Sequence, residues 1–317
     1  MEKKTETEQI KDFMNRVEIN GTLVSMEVDE KVSQNTGVPY IRVRGEIQYG
    51  ETGIETERFT SFALAQKKDG GENKKYKNLK SFVDTAIPMT KDKENATKIK
   101  LTCNFEANDF WSDRENKVIE SVQNNLNFFG DYDPTYTETQ GNLTNLTANV
   151  DGYILGITDE IRNEEATGRK KLSLLTLDGF KNPVIIKNIV VESDIANDLE
   201  TSYSKGDTAR FYLVRVVHKG VTHAPAEGGF GIKRVTEGRD YTEWRCIGGD
   251  EPYDEDSKKV ITSKIYKELM TIRENSLAEI KAVGESGERK SNTSKSGFGA
   301  KKSTTMDSPL SDEDIPF

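Results

Sequence analysis

The sequence has few of the residues that form disulfides or structural metal sites, since it contains only two cysteines and two histidines among 317 residues. Cys103 and Cys246 form no CxxC pair, and each lies alone in an apolar, strand-like segment. This predicts two packing residues rather than a disulfide framework. His218 and His223 lack clustered cysteine or carboxylate neighbours, which makes them a poor metal site, and we expect them in a loop. We therefore predict no metal and no other cofactor.

Long apolar runs are also missing. No segment approaches the roughly 20 residues that span a bilayer, and residues 1–6 lack the apolar region of a signal peptide. We expect the protein in a cytoplasm, which is the host cytoplasm if the chain is phage-encoded. Hydrophobic residues make up 34% and charged residues 31% of the chain, a balance that favours small domains and solvated loops over one large core.

Catalytic motifs are absent as well. The glycine-rich segment at 228–231 follows no strand-to-helix pattern, and the chain has no GxxxxGK[ST] sequence for binding phosphates. No Ser/His/Asp set can be assembled with conviction. We predict that the protein is not an enzyme and has no catalytic residues.

What the sequence does contain is a repeated series of alternating apolar residues, which is typical of strands. In the first half, strands are predicted at 16–24, 38–49, 57–65, 97–105 and 118–129, with a helix at 74–86. In the second half, strands are predicted at 146–157, 171–177, 184–191, 207–217 and 241–247, with a helix at 194–203. A further helix is predicted at 259–283, where isoleucine and leucine recur at helical spacing.

The two halves are similar in sequence as well as in element order. Three pairs of segments carry the similarity: 20–24 with 151–155, 36–37 with 167–168 at the same offset, and 97–101 with 209–213 at a shorter one. We interpret this as a tandem duplication of one β-β-β-α-β-β unit. The alternative is chance similarity between two β-rich stretches.

Five short strands with a helix between the third and fourth are the order of an OB-fold, a small Greek-key barrel that binds oligonucleotides on strands two and three. The predicted fold is therefore mainly β, with two tandem OB-fold-like five-stranded barrels, a C-terminal helix and a disordered acidic tail. The predicted segments are a flexible N-terminus at 1–14, OB-like domains at 15–138 and 139–257, a helix at 258–283, a flexible basic linker at 284–305 and an acidic tip at 306–317.

The chain ends in Asp312-Glu313-Asp314-Ile315-Pro316-Phe317. A partner would need a pocket for the terminal ring, a cation for the carboxylate and a basic rim for the acidic residues. This end resembles the C-terminal tip of bacterial and phage single-stranded DNA-binding proteins, in which an OB-fold core and a polar linker precede an acidic tip ending in Ile-Pro-Phe. The resemblance implies single-stranded DNA binding, with the tip recruiting replication, recombination or repair proteins. The alternative is an ordinary acidic terminus.

The chain departs from that family in two respects. It is predicted to carry two barrels, whereas the common bacterial subunit carries one, and its strand sequences do not match the bacterial core closely. DNA contacts therefore cannot be transferred residue by residue. The combination indicates a divergent, phage-encoded member, and it leaves a monomer or a homo-oligomer open.

Single-strand binders combine aromatic platforms for bases with cations that follow the phosphates. Alternation in the second strand predicts that Tyr40, Arg42 and Arg44 share an outer face. The other candidates in the first half are Arg58, Phe59, Lys98, Lys100 and Trp111. Those in the second half are Arg169, Lys170, Lys171, Arg210, Tyr212, Trp244 and Arg245. The alternative is that charged strand residues form an ordinary solvated face and that Trp244 belongs to the core.

The net charge of −9 opposes nucleic-acid binding, because phosphate contacts usually require a basic surface. Acidic residues cluster at 250–256 and at the C-terminus, however, so other surfaces of the protein can be basic despite the negative net charge. Two alternatives remain open. The barrels could bind protein in an adaptor of the replication machinery, or they could bind RNA, which OB-folds also accept.

Overall fold

The computed structural model describes residue 7 and residues 10–34, 36–51, 53–67, 69–139, 144–162, 164–224, 234–237 and 240–286. Strands dominate this part of the chain, as the sequence predicts. None of its helices combines the length and the apolarity that a membrane crossing requires.

The first half of the chain forms a closed barrel, which we call barrel 1. Its elements are β1 (Asn15–Val32), β2 (Pro39–Gln48), β3 (Thr56–Leu64), α1 (Lys74–Thr85), β4 (Lys98–Ala107), β5 (Phe110–Ser112), β6 (Lys117–Ile119) and β7 (Val122–Asp131). β1 pairs with β2 along one part and with β4 along another, while β7 lies between β3 and β4 and closes the barrel. β5 and β6 form a separate hairpin between β4 and β7. This strand order is that of an OB-fold.

The second half repeats this arrangement as barrel 2. After α2 (Tyr136–Thr139), its elements are β8 (Leu146–Arg162), β9 (Glu165–Leu177), β10 (Pro183–Val191), α3 (Ala196–Ser202), β11 (Thr208–His218), β12 (Val221–Ala224), β13 (Arg234–Glu237) and β14 (Tyr241–Gly249). β8 pairs with β9 and with β11, and β14 lies between β10 and β11. β12 and β13 form a hairpin at the position of β5 and β6. The shared pairing scheme is what a duplication predicts.

The apolar side chains inside the two barrels form one continuous hydrophobic cluster. Val17, Ile19, Leu23 and their neighbours are buried in barrel 1, and Leu172 and Leu174 are buried in barrel 2. In α1, the side chain of Asn73 caps the helix by accepting a hydrogen bond from the amide of Lys75 at 3.0 Å, while the apolar face of the helix packs against the barrel. Both cysteines are buried, as predicted.

A glycine marks the point in each barrel where the first strand changes partners. Gly21 in β1 and Gly152 in β8 occupy equivalent positions in the segment that pairs with the fourth strand, one residue before pairing with the second strand begins. A side chain at Gly21 would overlap the backbone carbonyl of Gln48, so the close approach of β1 and β2 requires a residue without a Cβ. At Gly152 a side chain would instead crowd the side chain of Leu174, so the two glycines relieve different contacts.

The two barrels are joined by a direct strand pairing. β1 pairs antiparallel with β8, so the ten strands of the two barrels in the described chain form one continuous sheet. Beside this seam, the ring of Phe105 meets the ring of Trp244 edge-on, with centroids 5.3 Å apart. Glu57 of barrel 1 is 3.3 Å from Arg215 of barrel 2. Backbone pairing, aromatic packing and an ion pair therefore hold the barrels together.

The helix α4 (Ser263–Glu285) lies on the outer surface of barrel 2. It packs on Tyr153, Leu175 and Ile185, which sit side by side on β8, β9 and β10. Tyr266 stacks on Tyr153, with the ring centroids 4.9 Å apart and the planes at 16°. The helix therefore covers part of strands one to three of barrel 2, a surface that the sequence pattern leaves exposed.

The observed strands differ from the predicted strands in length and in number. β1 and β8 extend well past the predicted ends at 24 and 157, because long hairpins continue the pairing with the second strands. The strand predicted at 118–129 is divided between β6 and β7, which belong to different sheets. β12 and β13 were not predicted.

The alignment of the fourth strands is wrong by two residues. Pairing with the equivalent residues Ile19 and Val150 makes Leu101 correspond to Phe211, whereas the sequence similarity placed Ile99 there. A shift of two preserves the alternation between inner and outer faces, which is why the sequence pattern does not reveal it. α4 continues to Glu285, past the predicted start of the linker at 284, and residues 287–317 of the predicted linker and tip lie outside the described residues.

Candidate nucleic-acid interface

The outer surface of β2 and β3 brings together several predicted DNA contacts. Because Ile41, Val43 and Ile47 are buried, the alternate residues of β2 face outward. Five outward side chains form what we call the aromatic–arginine face, namely Tyr40, Arg42, Arg44, Arg58 and Phe62. The strand register places Arg42 directly opposite Phe62 and places Tyr40 one row further along. The rings of Tyr40 and Phe62 are in contact, with centroids 5.4 Å apart and planes at 39°.

The cations of this face are bordered by acidic residues on β1. The register sets Glu27 opposite Arg44 and Asp29 opposite Arg42. The Nη1 atom of Arg44 is 3.8 Å from Oε2 of Glu27, whose side chain is 80% exposed. Ion pairs of this kind contribute at most about 1 kcal/mol. A phosphate could therefore replace the carboxylate at little cost.

The sequence prediction omits Phe62 and includes Phe59, which the structure places in the core. Phe59 is 3% exposed and belongs to the core of barrel 1. It lies opposite Gly45, and its ring fills the space that a side chain at residue 45 would occupy. No face of the ring is open to a base. The alternation that places Arg58 outside also places Phe62 outside, so the signal for Phe62 was present in the sequence.

The other barrel 1 candidates lie away from this face. Lys98 and Lys100 are on the outer surface of β4, where each ammonium group lies over a tyrosine, at 5.6 Å from the ring centre of Tyr132 and 5.8 Å from that of Tyr136. Trp111 is in the β5–β6 hairpin, and its ring packs against Gly284 of α4. This packing makes Trp111 part of a contact between the hairpin and the helix rather than an open platform for a base.

In barrel 2, Arg169 and Arg245 belong to a cluster of charges that neutralise one another. Arg169 approaches Glu160, Glu192 and Glu243, the last at 2.6 Å, and Arg245 approaches Glu192 at 2.8 Å and Glu243 at 3.1 Å. Burial alone would raise the pKa of Glu243, but hydrogen bonds from His218 and Arg245 and the charge of Arg169 outweigh it and lower the pKa. These guanidinium groups are held by protein carboxylates.

The remaining barrel 2 cations are mostly paired within the protein too. Arg210 donates from Nε to the fully buried Asp151 at 2.7 Å, which raises the pKa of Arg210. Lys170 is bonded to Asp159 at 2.8 Å and to Glu200 at 2.6 Å. Lys171 lies on the outer surface opposite Thr158.

The two aromatic candidates of barrel 2 are likewise held by protein contacts. The hydroxyl of Tyr212 donates to Asp250 at 2.6 Å. Trp244 packs edge-on against Phe105 at the seam between the barrels, and the guanidinium of Arg215 lies 5.3 Å from its ring centre. The interpretation that Trp244 is a packing residue is thus the one its surroundings favour.

Equivalent arginines in the two barrels have different surroundings. The register makes Arg42 of barrel 1 equivalent to Arg169 of barrel 2. Arg42 lies beside the ring pair of Tyr40 and Phe62, whereas Arg169 is only 14% exposed and faces three carboxylates. Barrel 2 also carries α4 over part of the same outer surface. The structure therefore assembles an aromatic and cationic surface on barrel 1 that the described side chains of barrel 2 do not reproduce.

The remaining predictions concern the histidines and the C-terminal tip. His218 is the last residue of β11 rather than part of a loop, and its ring stacks on Tyr241 with centroids 4.7 Å apart. Its Nε2 atom is 2.9 Å from Glu243. The predicted partner-binding residues Asp312, Glu313, Asp314, Ile315, Pro316 and Phe317 lie outside the described residues, so their role remains a prediction.

Comparison with known proteins identifies one family and several similar structures. The family model described as YorF matches residues 14–283. The wild-type single-stranded DNA binding protein from Thermus aquaticus is 12% identical, with 78% of this chain and 97% of that chain covered and a TM-score of 0.43. A deletion mutant of the same protein is 12% identical, with coverage of 77% and 97% and a TM-score of 0.42. A replication protein A heterotrimer bound to single-stranded DNA is 9% identical, with coverage of 85% and 71% and a TM-score of 0.18. No curated protein matches the sequence.

Proposed function

The chain belongs to the YorF family, and we propose that it binds single-stranded DNA without sequence preference through the aromatic–arginine face of barrel 1. In this role it coats and protects single strands during DNA replication, recombination or repair. The role is one of binding rather than catalysis, and the chain acts in the cytoplasm. The C-terminal tip, residues 312–317, recruits partner proteins to the coated strand.

One observation carries this proposal, namely that the ring pair of Tyr40 and Phe62 shares the outer surface of strands two and three of an OB barrel with three arginines. Bases stack on aromatic rings with about 1–3 kcal/mol each, and stacking accepts every base because each has a π-face. Guanidinium groups bind phosphates through two parallel hydrogen bonds. The same five side chains can thus supply both kinds of contact without reading the base sequence.

The negative net charge of the chain affects how much of the affinity comes from base stacking and how much from phosphate contacts. At −9 the chain repels a polyanion at long range, and Glu27 and Asp29 border the arginines. Stacking therefore contributes a larger share of the affinity than in a basic protein, and salt dependence reflects only the few phosphates that the arginines contact. These expectations distinguish the proposal from nonspecific attraction to a basic surface.

The experiment that tests the proposal is a titration of dye-labelled oligo-dT with the full chain, followed by fluorescence anisotropy. The label is needed because Trp111 and Trp244, the only tryptophans, pack within the protein away from the face. We expect binding by the wild type and a loss of about tenfold or more for Phe62→Ala, equivalent to one stacked base. The matched control is Phe180→Ala, which removes a ring that is 63% exposed on barrel 2.

Two outcomes would contradict the proposal. If the wild type does not bind oligo-dT at low salt, a protein-binding adaptor becomes the better account. If oligo-rU competes better than oligo-dT of the same length, the polymer is RNA. Removal of residues 312–317 is expected to leave the affinity for oligo-dT intact, because we assign the tip to partner binding alone.

A further inference from the structure

A second aromatic ring is exposed on barrel 1, away from the aromatic–arginine face. The side chain of Phe128 in β7 is 69% exposed, the largest fraction among the large hydrophobic residues of the described chain. β7 pairs with β3 and β4 but not with β2. The ring therefore lies on a part of the barrel surface that the proposed function does not use.

A β-bulge sets the outward direction of Phe128. The register between β4 and β7 shifts at this point, so that Thr102 lies opposite Phe128 and Cys103 lies opposite Leu126, which leaves Asn127 as the extra residue. The next ring, Phe129, turns inward and packs on Phe82 with centroids 4.7 Å apart. Bulges redirect side chains and are frequent beside functional sites. Here the bulge keeps one ring in the core and presents the neighbouring ring to solvent.

The exposed ring forms one wall of an open groove. The groove is shallow and open, with a volume of about 390 Å³, and it is also lined by Arg16, Thr102 and Asn127. The guanidinium of Arg16 is paired with Glu18 at 2.5 Å, and the side chain of Arg16 is 47% exposed. Breaking such an exposed ion pair costs little free energy. The lining thus combines a stacking surface, hydrogen-bonding side chains and a cation.

Two lysines extend this surface along β4. Glu18 lies opposite Thr102, and the buried residues Val17, Leu101 and Cys103 place Arg16, Lys100 and Lys98 on the same outer side. Lys100 lies opposite Gly130, two residues from Phe128 on the same strand. Three cations, of which Arg16 is paired with Glu18 on the same side, therefore accompany an exposed ring and an amide-lined groove. A nucleotide, with its flat base and its phosphate, has the complementary chemistry.

We propose that the Phe128 groove is a second base-stacking site, which binds nucleotides of the same single strand that occupies the aromatic–arginine face. The inference rests on the proposed function. It adds that a strand long enough to pass around barrel 1 contacts both sites, whereas a short oligonucleotide occupies only one. The length of the DNA therefore decides whether Phe128 contributes.

The test compares two labelled oligo-dT lengths, about 6 and about 20 nucleotides, which lie near the lower end and beyond the upper end of the range for one OB-fold. We expect Phe128→Ala to weaken binding of the long oligonucleotide about tenfold, the contribution of one stacked base, and to leave binding of the short one unchanged. Because the ring is exposed, the variant should unfold at the wild-type temperature. Phe180→Ala is the matched control and should change neither affinity.

A gain-of-signal variant provides a second readout. Phe128→Trp keeps an aromatic surface, so it should bind the long oligonucleotide as the wild type does. Its added fluorescence should be quenched by the long oligonucleotide and not by the short one. Absence of quenching at saturation by the long oligonucleotide would overturn the inference.

The two proposals fail in different ways. If Phe62→Ala weakens both lengths while Phe128→Ala weakens neither, the proposed function stands and the Phe128 site is refuted. If the wild type binds neither length, the proposed function and the second site are both refuted.

Discussion

Val17 of β1 pairs directly with Ala148 of β8, and these two residues occupy the same position in their respective barrels. Around this pair the register is reciprocal, since Asn15 lies opposite Val150 and Ile19 lies opposite Leu146. A residue can face its own equivalent in this manner only across a two-fold axis. The seam therefore has the geometry of a symmetric dimer interface within one chain.

The first prediction separates binding from stability with two phenylalanines on the same strand. Phe62→Ala should weaken oligo-dT binding while lowering the free energy of unfolding by about 1 kcal/mol, the value of one aromatic pair. Phe59→Ala should lower the free energy of unfolding by about 3–5 kcal/mol, because it leaves a cavity in the core of barrel 1. Urea unfolding and anisotropy titration measure the two effects. A Phe62→Ala protein that is as unstable as Phe59→Ala would contradict the outward placement of Phe62.

The second prediction concerns salt. If Arg42, Arg44 and Arg58 each contact one phosphate, the slope of log K against log salt concentration should be about −2, because each contact with a single strand contributes about −0.7. Arg58→Ala should make the slope shallower by about 0.7. The control is Lys281→Ala on α4, whose side chain is 60% exposed and which should leave the slope unchanged. Equal effects of the two substitutions would indicate a diffuse electrostatic attraction.

The third prediction concerns Gly284, where helix propensity and packing oppose each other. Alanine is favoured over glycine in a helix by up to about 1 kcal/mol. A Cβ at residue 284 would overlap the ring of Trp111, and such overpacking costs about 1–3 kcal/mol. Gly284→Ala should therefore lower the melting temperature. In a Trp111→Ala background the same substitution should raise it, and a rise in both backgrounds would show that the hairpin does not rest on the helix.

The fourth prediction concerns acid stability and Glu243. Its pKa is lowered from the ordinary value of 4.5 in the folded state, so the unfolded chain binds the proton more tightly. The resulting stabilisation is complete above the unfolded pKa and is lost as the pH falls below it. Glu243→Gln should reduce the free energy of unfolding at pH 7 by about 1–3 kcal/mol, because it removes the carboxylate that Arg169, Arg245 and His218 share, while Glu192 still contacts both arginines. The difference from the wild type should shrink by pH 3, as urea unfolding at several pH values would show.

Sequence alternation was sufficient to predict the strand order of both barrels. It was also sufficient to place Tyr40, Arg42 and Arg44 on one outer face, since a period of two separates inner from outer residues. Alternation does not define register along a strand. The shift of two residues between the fourth strands is invisible to it, because both alignments put apolar residues inside.

The partners of the charged residues could not be predicted from alternation either. Arg169 and Arg245 look in the sequence like Arg42 and Arg44, but Glu192, just after β10, contacts both of them, and Glu243 of β14 contacts Arg169 of β9. Only the tertiary pairing of β9, β10 and β14 brings those groups together. The position of α4 was equally hidden, because its apolar stripe predicts burial without specifying the surface that buries it.

The pairing of β1 with β8 relates the two barrels by a two-fold axis, but α4 packs on barrel 2 alone and breaks this symmetry. A symmetric pair of barrels could bind a strand in either of two orientations with the same energy. With the helix fixed on one barrel, the molecule has a distinct front and back, and exchanging the barrels no longer restores the same surface. A single strand bound as we propose would then lie in one preferred polarity, and successive copies along it would all face the same way.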